Sequence, residues 1–92
     1  MRTPTILSVL GEDRVGIVAA VSRVLADSHA NIEDIRQTII GGIFSMTMLV
    51  TVDEDATSFE DLQARLAEVS EELGGIQITL QREDVFRYMH RI

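Results

Sequence analysis

Apolar side chains recur along this chain at every second residue in some stretches and at every third or fourth in others. The changes of period divide it into strands and helices. Thr3 to Leu10 is rich in β-branched and aliphatic residues and stops at Gly11, which predicts a buried strand followed by a turn. From Val15 onward, Ile17, Val18, Val21, Val24 and Leu25 return at helical spacing with Arg23 and Asp27 on the other side, a first helix expected to end near His29. Asp13 is suited to cap it, because a carboxylate there can accept from the first backbone N–H groups. Asn31 to Ile40, Gly41-Gly42 and Ile43 to Val52 predict two strands joined by a tight glycine turn. In the second of them Phe44, Met46, Met48, Val50 and Val52 share one face, and Ile43, Ser45, Thr47, Leu49 and Thr51 the other. After the acidic loop Asp53-Glu54-Asp55, Ser58 can cap a helix carrying Phe59, Leu62, Leu66, Val69 and Leu73, with Gly74-Gly75 ending it. Ile76, Ile78 and Leu80 then alternate with Gln77, Thr79 and Gln81 in a last strand. Beyond it, Val85, Phe86, Met89 and Ile92 in the tail 83–92 fit a short amphipathic helix that can dock on its own subunit or on a partner protein.

The order β-α-β-β-α-β with a central hairpin is the split-βαβ pattern. It predicts an α+β, ferredoxin-like sandwich: a four-stranded antiparallel sheet with two helices on one face. The connections are short, so a single domain is expected to fill residues 1–92. Ninety-two residues, 46% of them hydrophobic, leave room for one core, and a chain of this size buries only about two-thirds of its unfolded surface. Covering by a second copy, as a homodimer, is therefore expected. The net charge of −7 comes from fifteen acids against eight basic residues, all arginine, which argues against direct binding to nucleic acid. The acids concentrate between Asp53 and Glu72, as a solvated helix face would. With no cysteine there is neither a disulfide nor a thiol nucleophile. Charge at Glu12 and Asp13 interrupts any signal-peptide core, and no apolar run reaches spanning length, so no membrane association and a cytoplasmic location are expected.

No catalytic set assembles, and neither a metal nor a cofactor is assigned. His29 and His90 have no neighbouring ligands at metal spacing, and the serines lack a nucleophile elbow. Met46 and Met48 share a face with Phe44, which reads as core. An enzyme built on Asp13, Arg14 and His90 would need those residues together, and nothing in the sequence brings them there.

The informative segment is Gly11-Glu12-Asp13-Arg14-Val15-Gly16-Ile17, between the first strand and first helix. A helix start offers N–H groups to an anion such as a carboxylate. Gly11 permits an unusual turn, Gly16 lets the helix approach a strand or ligand closely, and Asp13 is placed to meet an ammonium group. Such a loop can hold both ends of an amino acid. Equally, Asp13 can be an N-cap, Gly16 a packing glycine and Arg14 a surface charge.

The loop GEDRVGI, the Asn31-Ile32 start of strand 2 and the βαββαβ order together resemble an ACT domain. The run NIEDIRQTIIGGIFSMTMLV and the closing EDVFRYMHRI are similar to the short stand-alone ACT proteins of bacteria and archaea, themselves similar to the ACT repeats of the glycine-cleavage-system regulator. The resemblance implies a non-catalytic regulatory module that binds an amino acid or related metabolite, commonly at a dimer interface. Asn31 and Asp13 belong to opposite ends of the sheet in one chain. Antiparallel pairing of two copies along strand 2 would bring Asn31 and Ile32 of one toward the Gly11, Asp13, Arg14, Val15, Gly16 loop of the other. Asn31 would then supply a donor and an acceptor, Asp13 would meet the ammonium, and the N–H groups at Val15 and Gly16 the carboxylate. For Asn31 the alternative is a helix-terminating residue in the left-handed conformation. Val15 stands where many ACT loops carry proline, and Gly11 lacks the polar side chain of many amino-acid-binding members. The alternative function is a protein-interaction module using the open sheet face at Ser45, Thr47, Leu49 and Thr79, or the tail, without a small-molecule ligand.

Overall fold

A computed structural model describes residues 1–89. Its elements are β1 (Arg2–Glu12), α1 (Ile17–Asp27), β2 (Ala30–Ile40), β3 (Ile43–Asp53), α2 (Phe59–Glu72), β4 (Gln77–Arg82) and α3 (Glu83–Met89). The strands form one sheet in the order β2-β3-β1-β4, every neighbouring pair antiparallel. This is the expected ferredoxin-like arrangement. The two β-α-β crossovers interleave, so the hairpin partner β3 ends up beside β1.

The core lies between the sheet and the α1–α2 layer. Leu7 and Val9 of β1, all five alternate residues from Phe44 to Val52, and Leu80 of β4 face Ile17, Val21 and Leu25 of α1 and Phe59, Leu62, Leu66 and Val69 of α2. α1 packs over β2 and α2 over β4, with the two helices side by side. Ser58 caps α2 as its position predicts: its hydroxyl accepts from the Asp61 N–H at 3.1 Å.

α3 turns back onto β1 and β4. Val85 and Tyr88 on it stay exposed. The amphipathic tail therefore docks on its own chain over Glu83–Met89. Its expected continuation through His90 and Ile92 lies outside the described residues.

Two helix boundaries differ from expectation. α1 is capped by Gly16 in the left-handed region, with φ +91° and no side-chain hydrogen bond, so Asp13 is not its N-cap. The backbone there extends β1 by two residues beyond Leu10, and the Asp13 N–H donates to the Gly42 carbonyl at 2.9 Å. At the other end, the left-handed residue that leaves the helix is His29, φ +57°, rather than Asn31, which is already in β2.

Candidate functional site

The β1–α1 loop sits beside the β2–β3 turn, tied to it by the Asp13–Gly42 bond. Its two glycines serve different needs. A Cβ on Gly11 would lie 2.7 Å from Cγ2 of Ile76, so this position is a close approach between β1 and the start of β4, not a turn. Gly16 has open space around it, and what demands glycine there is its positive φ. The expected roles of these two residues are thus exchanged.

α1 has no side-chain cap and no acid in its first turn, so no side chain of its own satisfies its first N–H groups. Asp13 and Arg14 are exposed, and Val15 is fully exposed, an apolar side chain standing in solvent. The Arg14 guanidinium occupies the space above Gly74 at the C-terminal end of α2, where the helix dipole is negative.

Asn31 lies at the opposite end of the sheet, paired with Thr51 of β3. One chain therefore does not bring it to Gly11, Asp13 or Gly16, as the topology predicts. A register irregularity between Ile32 and Asp34 marks a bulge at Glu33. Glu33 Oε1 accepts from Asn31 Nδ2 at 2.9 Å and from the Thr51 hydroxyl at 3.1 Å. These two bonds, with the more distant Arg2, hold its carboxyl below the usual glutamate range. Glu33 and Thr51 are partners of Asn31 that motif reading missed. The turn register alone would set Asn31 opposite Val52, and only the bulge at Glu33 moves it to Thr51, so local reading could not find this pair.

β2 is an edge strand, and every residue from Asn31 to Ile40 is exposed. Its helix-side face carries Ile32, Ile35 and Ile39, respectively 36, 36 and 57% exposed, only partly covered by α1. Such a strand, eleven residues long with isoleucines on its helix-side face and its outer backbone groups unpaired, is a template for another chain. The other edge, β4, is six residues long and presents Gln77, Thr79 and Gln81 on its open side.

A groove of about 680 Å³ runs between α1 and α2, from Gly16 past Arg23 to Arg65 and Glu72. Smaller hollows of about 370 and 330 Å³ lie beside β4 and around Thr3, Glu54 and Arg82. Neither Asp13 nor Asn31 lines any of the three. Among the described residues no three His, Cys, Asp or Glu side chains converge as a metal site, and no helix is long and apolar enough to cross a membrane. His29 is exposed at the end of α1; His90 lies outside the described residues.

Residues 3–81 match the family model of the ACT domain. A UPF0237 protein of Methanocaldococcus jannaschii is 49% identical over 87 residues, 95% of this chain and 96% of that protein. An ACT domain protein from Streptococcus pneumoniae superposes with a TM-score of 0.75 at 31% identity, covering 91% of this chain and 93% of that one. A structure described as a glycine cleavage system transcriptional repressor shares the fold, with a TM-score of 0.77 at 21% identity over 89% of this chain and 46% of its own.

Proposed function

The chain belongs to the ACT-domain family, whose members are ligand-binding regulatory domains, and on that premise we propose that it is a non-catalytic cytoplasmic sensor: a homodimer joined along β2 that binds an amino acid or related metabolite. The observation that carries this reading is the exposed β2 edge, with its unpaired backbone groups and its strip of isoleucines. A second β2 running antiparallel would extend the sheet to eight strands and keep all the helices of the layer on one side. It would also cover Ile32, Ile35 and Ile39, at roughly 25 cal/mol for each Å² of apolar surface removed from water.

In that dimer Asn31 of one copy comes to the hairpin end of the other, where the Asp13–Gly42 bond holds the β1–α1 loop. β1 lies two strands in from β2, about 10 Å at ordinary strand spacing, and α1 leans back over β2. The ligand would sit at the rim of the sheet. Its carboxylate would meet the uncapped N–H groups of α1 near Gly16, its ammonium Asp13, and its remaining polar groups Asn31 of the other copy. Val15 would be covered, and Arg14, resting on α2, would carry the loop's position to the helix layer.

Thermal melting against the common amino acids, with solution mass measured in parallel, tests this reading. A ligand of the folded dimer raises the melting temperature by mass action. A dimeric mass and a shift for at least one amino acid are expected, with the shift lost in Asp13→Ala and Asn31→Ala. A monomer that responds to none, while Val85 and Tyr88 of α3 prove necessary for holding another protein, would establish the interaction module instead.

A further inference from the structure

We propose that Glu33 is a positioning and specificity residue for this site: it fixes the Asn31 amide in one orientation and adds a standing negative charge that selects ligands bearing an ammonium group. The inference rests on the dimeric sensing reading above and names a determinant within it.

The bulge is the starting point. In a regular strand side chains alternate strictly, and two isoleucines three residues apart would face opposite ways. The extra residue at Glu33 resets the alternation, so that Ile32 and Ile35 both lie on the helix side, opposite Val50 and Met48. Asn31 and Asp34, opposite Thr51 and Leu49, lie on the open side. Glu33, with no partner residue of its own on β3, turns its carboxylate to the same side and bridges Asn31 and Thr51 through one oxygen.

A carboxylate only accepts hydrogen bonds. The Asn31 nitrogen must therefore face Glu33, and its carbonyl oxygen must point away, into the space a ligand would take. The bond is charge-assisted and about twice as strong as a neutral one. Asn31 is left with one free N–H and its Oδ1, a pair suited to a zwitterion. Oε2 of Glu33 has no hydrogen-bond partner among the described residues; Arg2 acts on the carboxylate without an ion pair to it, and Arg36, the cation next along the strand, lies 3.8 Å from Asp34. A negative oxygen thus stands open beside Asn31. A ligand ammonium would be attracted to it; a ligand with only a carboxylate would be repelled.

Two variants separate the two roles. Glu33→Gln keeps an acceptor oxygen for Asn31 and Thr51 but removes the charge; Glu33→Ala removes both. The probes are whichever of the twenty protein amino acids raises the wild-type melting temperature most, and the same molecule with its amino group replaced by hydrogen, each titrated calorimetrically. Glu33→Gln is expected to weaken the amino acid about tenfold, the loss of one charge-assisted contact, while leaving the deaminated acid at wild-type affinity or better. Glu33→Ala is expected to weaken both probes. Unliganded melting temperatures should stay close to wild type, since Asn31 and Glu33 are exposed. Wild-type affinity for the amino acid in both variants would overturn the inference and leave the sensing reading standing, as would equal loss of the two probes in Glu33→Gln. A wild-type dimer that binds no amino acid would remove the sensing reading, and this inference with it.

Discussion

Gly11 and Gly16 illustrate what single residues disclose. Both are visible in the sequence as glycines flanking an acidic loop, but glycine answers two different demands, room for a neighbour or a positive φ, and the letter does not say which. Ile76, the neighbour that fills the space at Gly11, is 65 positions away and invisible to local reading. Gly11→Ala is therefore expected to cost about 1 to 3 kcal/mol in urea unfolding, the usual range for overpacking. Gly16→Ala should cost about 1 kcal/mol through its backbone alone. Ser58 was readable because its capping partner is three residues on, and Ser58→Ala should lose about 1 kcal/mol. At the far end of the sheet, Glu54 accepts from Arg82 at 2.9 Å and from Thr3. Arg82 first, then Thr3, holds the Glu54 carboxyl below its ordinary value, and Arg82 also lies over the Phe59 ring. A group whose pKa is lower folded than unfolded stabilises the fold above its unfolded pKa, and that contribution disappears as pH falls through the folded value. Melting temperatures should thus decline below about pH 4.3 more steeply in wild type than in Glu54→Gln. Equal slopes would show that this cluster does not matter.

Elements were legible where their pattern was periodic and their ends local. Phe44, Met46, Met48, Val50 and Val52 alternate without a break, and all five are buried. The start of α1 was not legible, because Asp13 has the chemistry of a cap while the chain stays extended in order to bond to Gly42, a contact set by the hairpin. The bulge in β2 was hidden for another reason. Ile32, Ile35 and Ile39 are spaced by three and four, a helical signature, and only pairing with β3 shows that one strand face carries all three. That face is the element-scale prediction: Ile35→Lys with Ile39→Lys leaves the far-ultraviolet dichroism unchanged, since neither residue is in the core, and lowers the solution mass to that of one chain. A dimeric mass in the double variant would place the interface elsewhere.

At the scale of the molecule, the order β-α-β-β-α-β together with the hairpin sufficed for a four-stranded antiparallel sheet with both long helices on one face, because handed crossovers leave few alternatives. The proposed site did not follow as fully. Its two halves, the loop from Gly11 to Gly16 and the head of β2 at Asn31, lie at opposite ends of one chain, and the geometry that would unite them belongs to a pair of chains. Arg14 against Gly74 and α1 against β2 suggest how occupancy would be felt: a ligand holding the loop to the other copy would favour one setting of the helix layer over another.

A composite pocket has a signature that no single-chain site can imitate. Asp13→Ala and Asn31→Ala each damage both pockets of a homodimer. When the two variants are mixed and allowed to exchange, a heterodimer has one pocket with both lesions and one with neither. The decisive measurement is the calorimetric stoichiometry of amino-acid binding to each variant alone and to the exchanged mixture. The account predicts no binding by either variant and recovery of about a quarter of the sites at wild-type affinity in the mixture, as random pairing of two chain types requires. A mixture that binds no more than its components would contradict it.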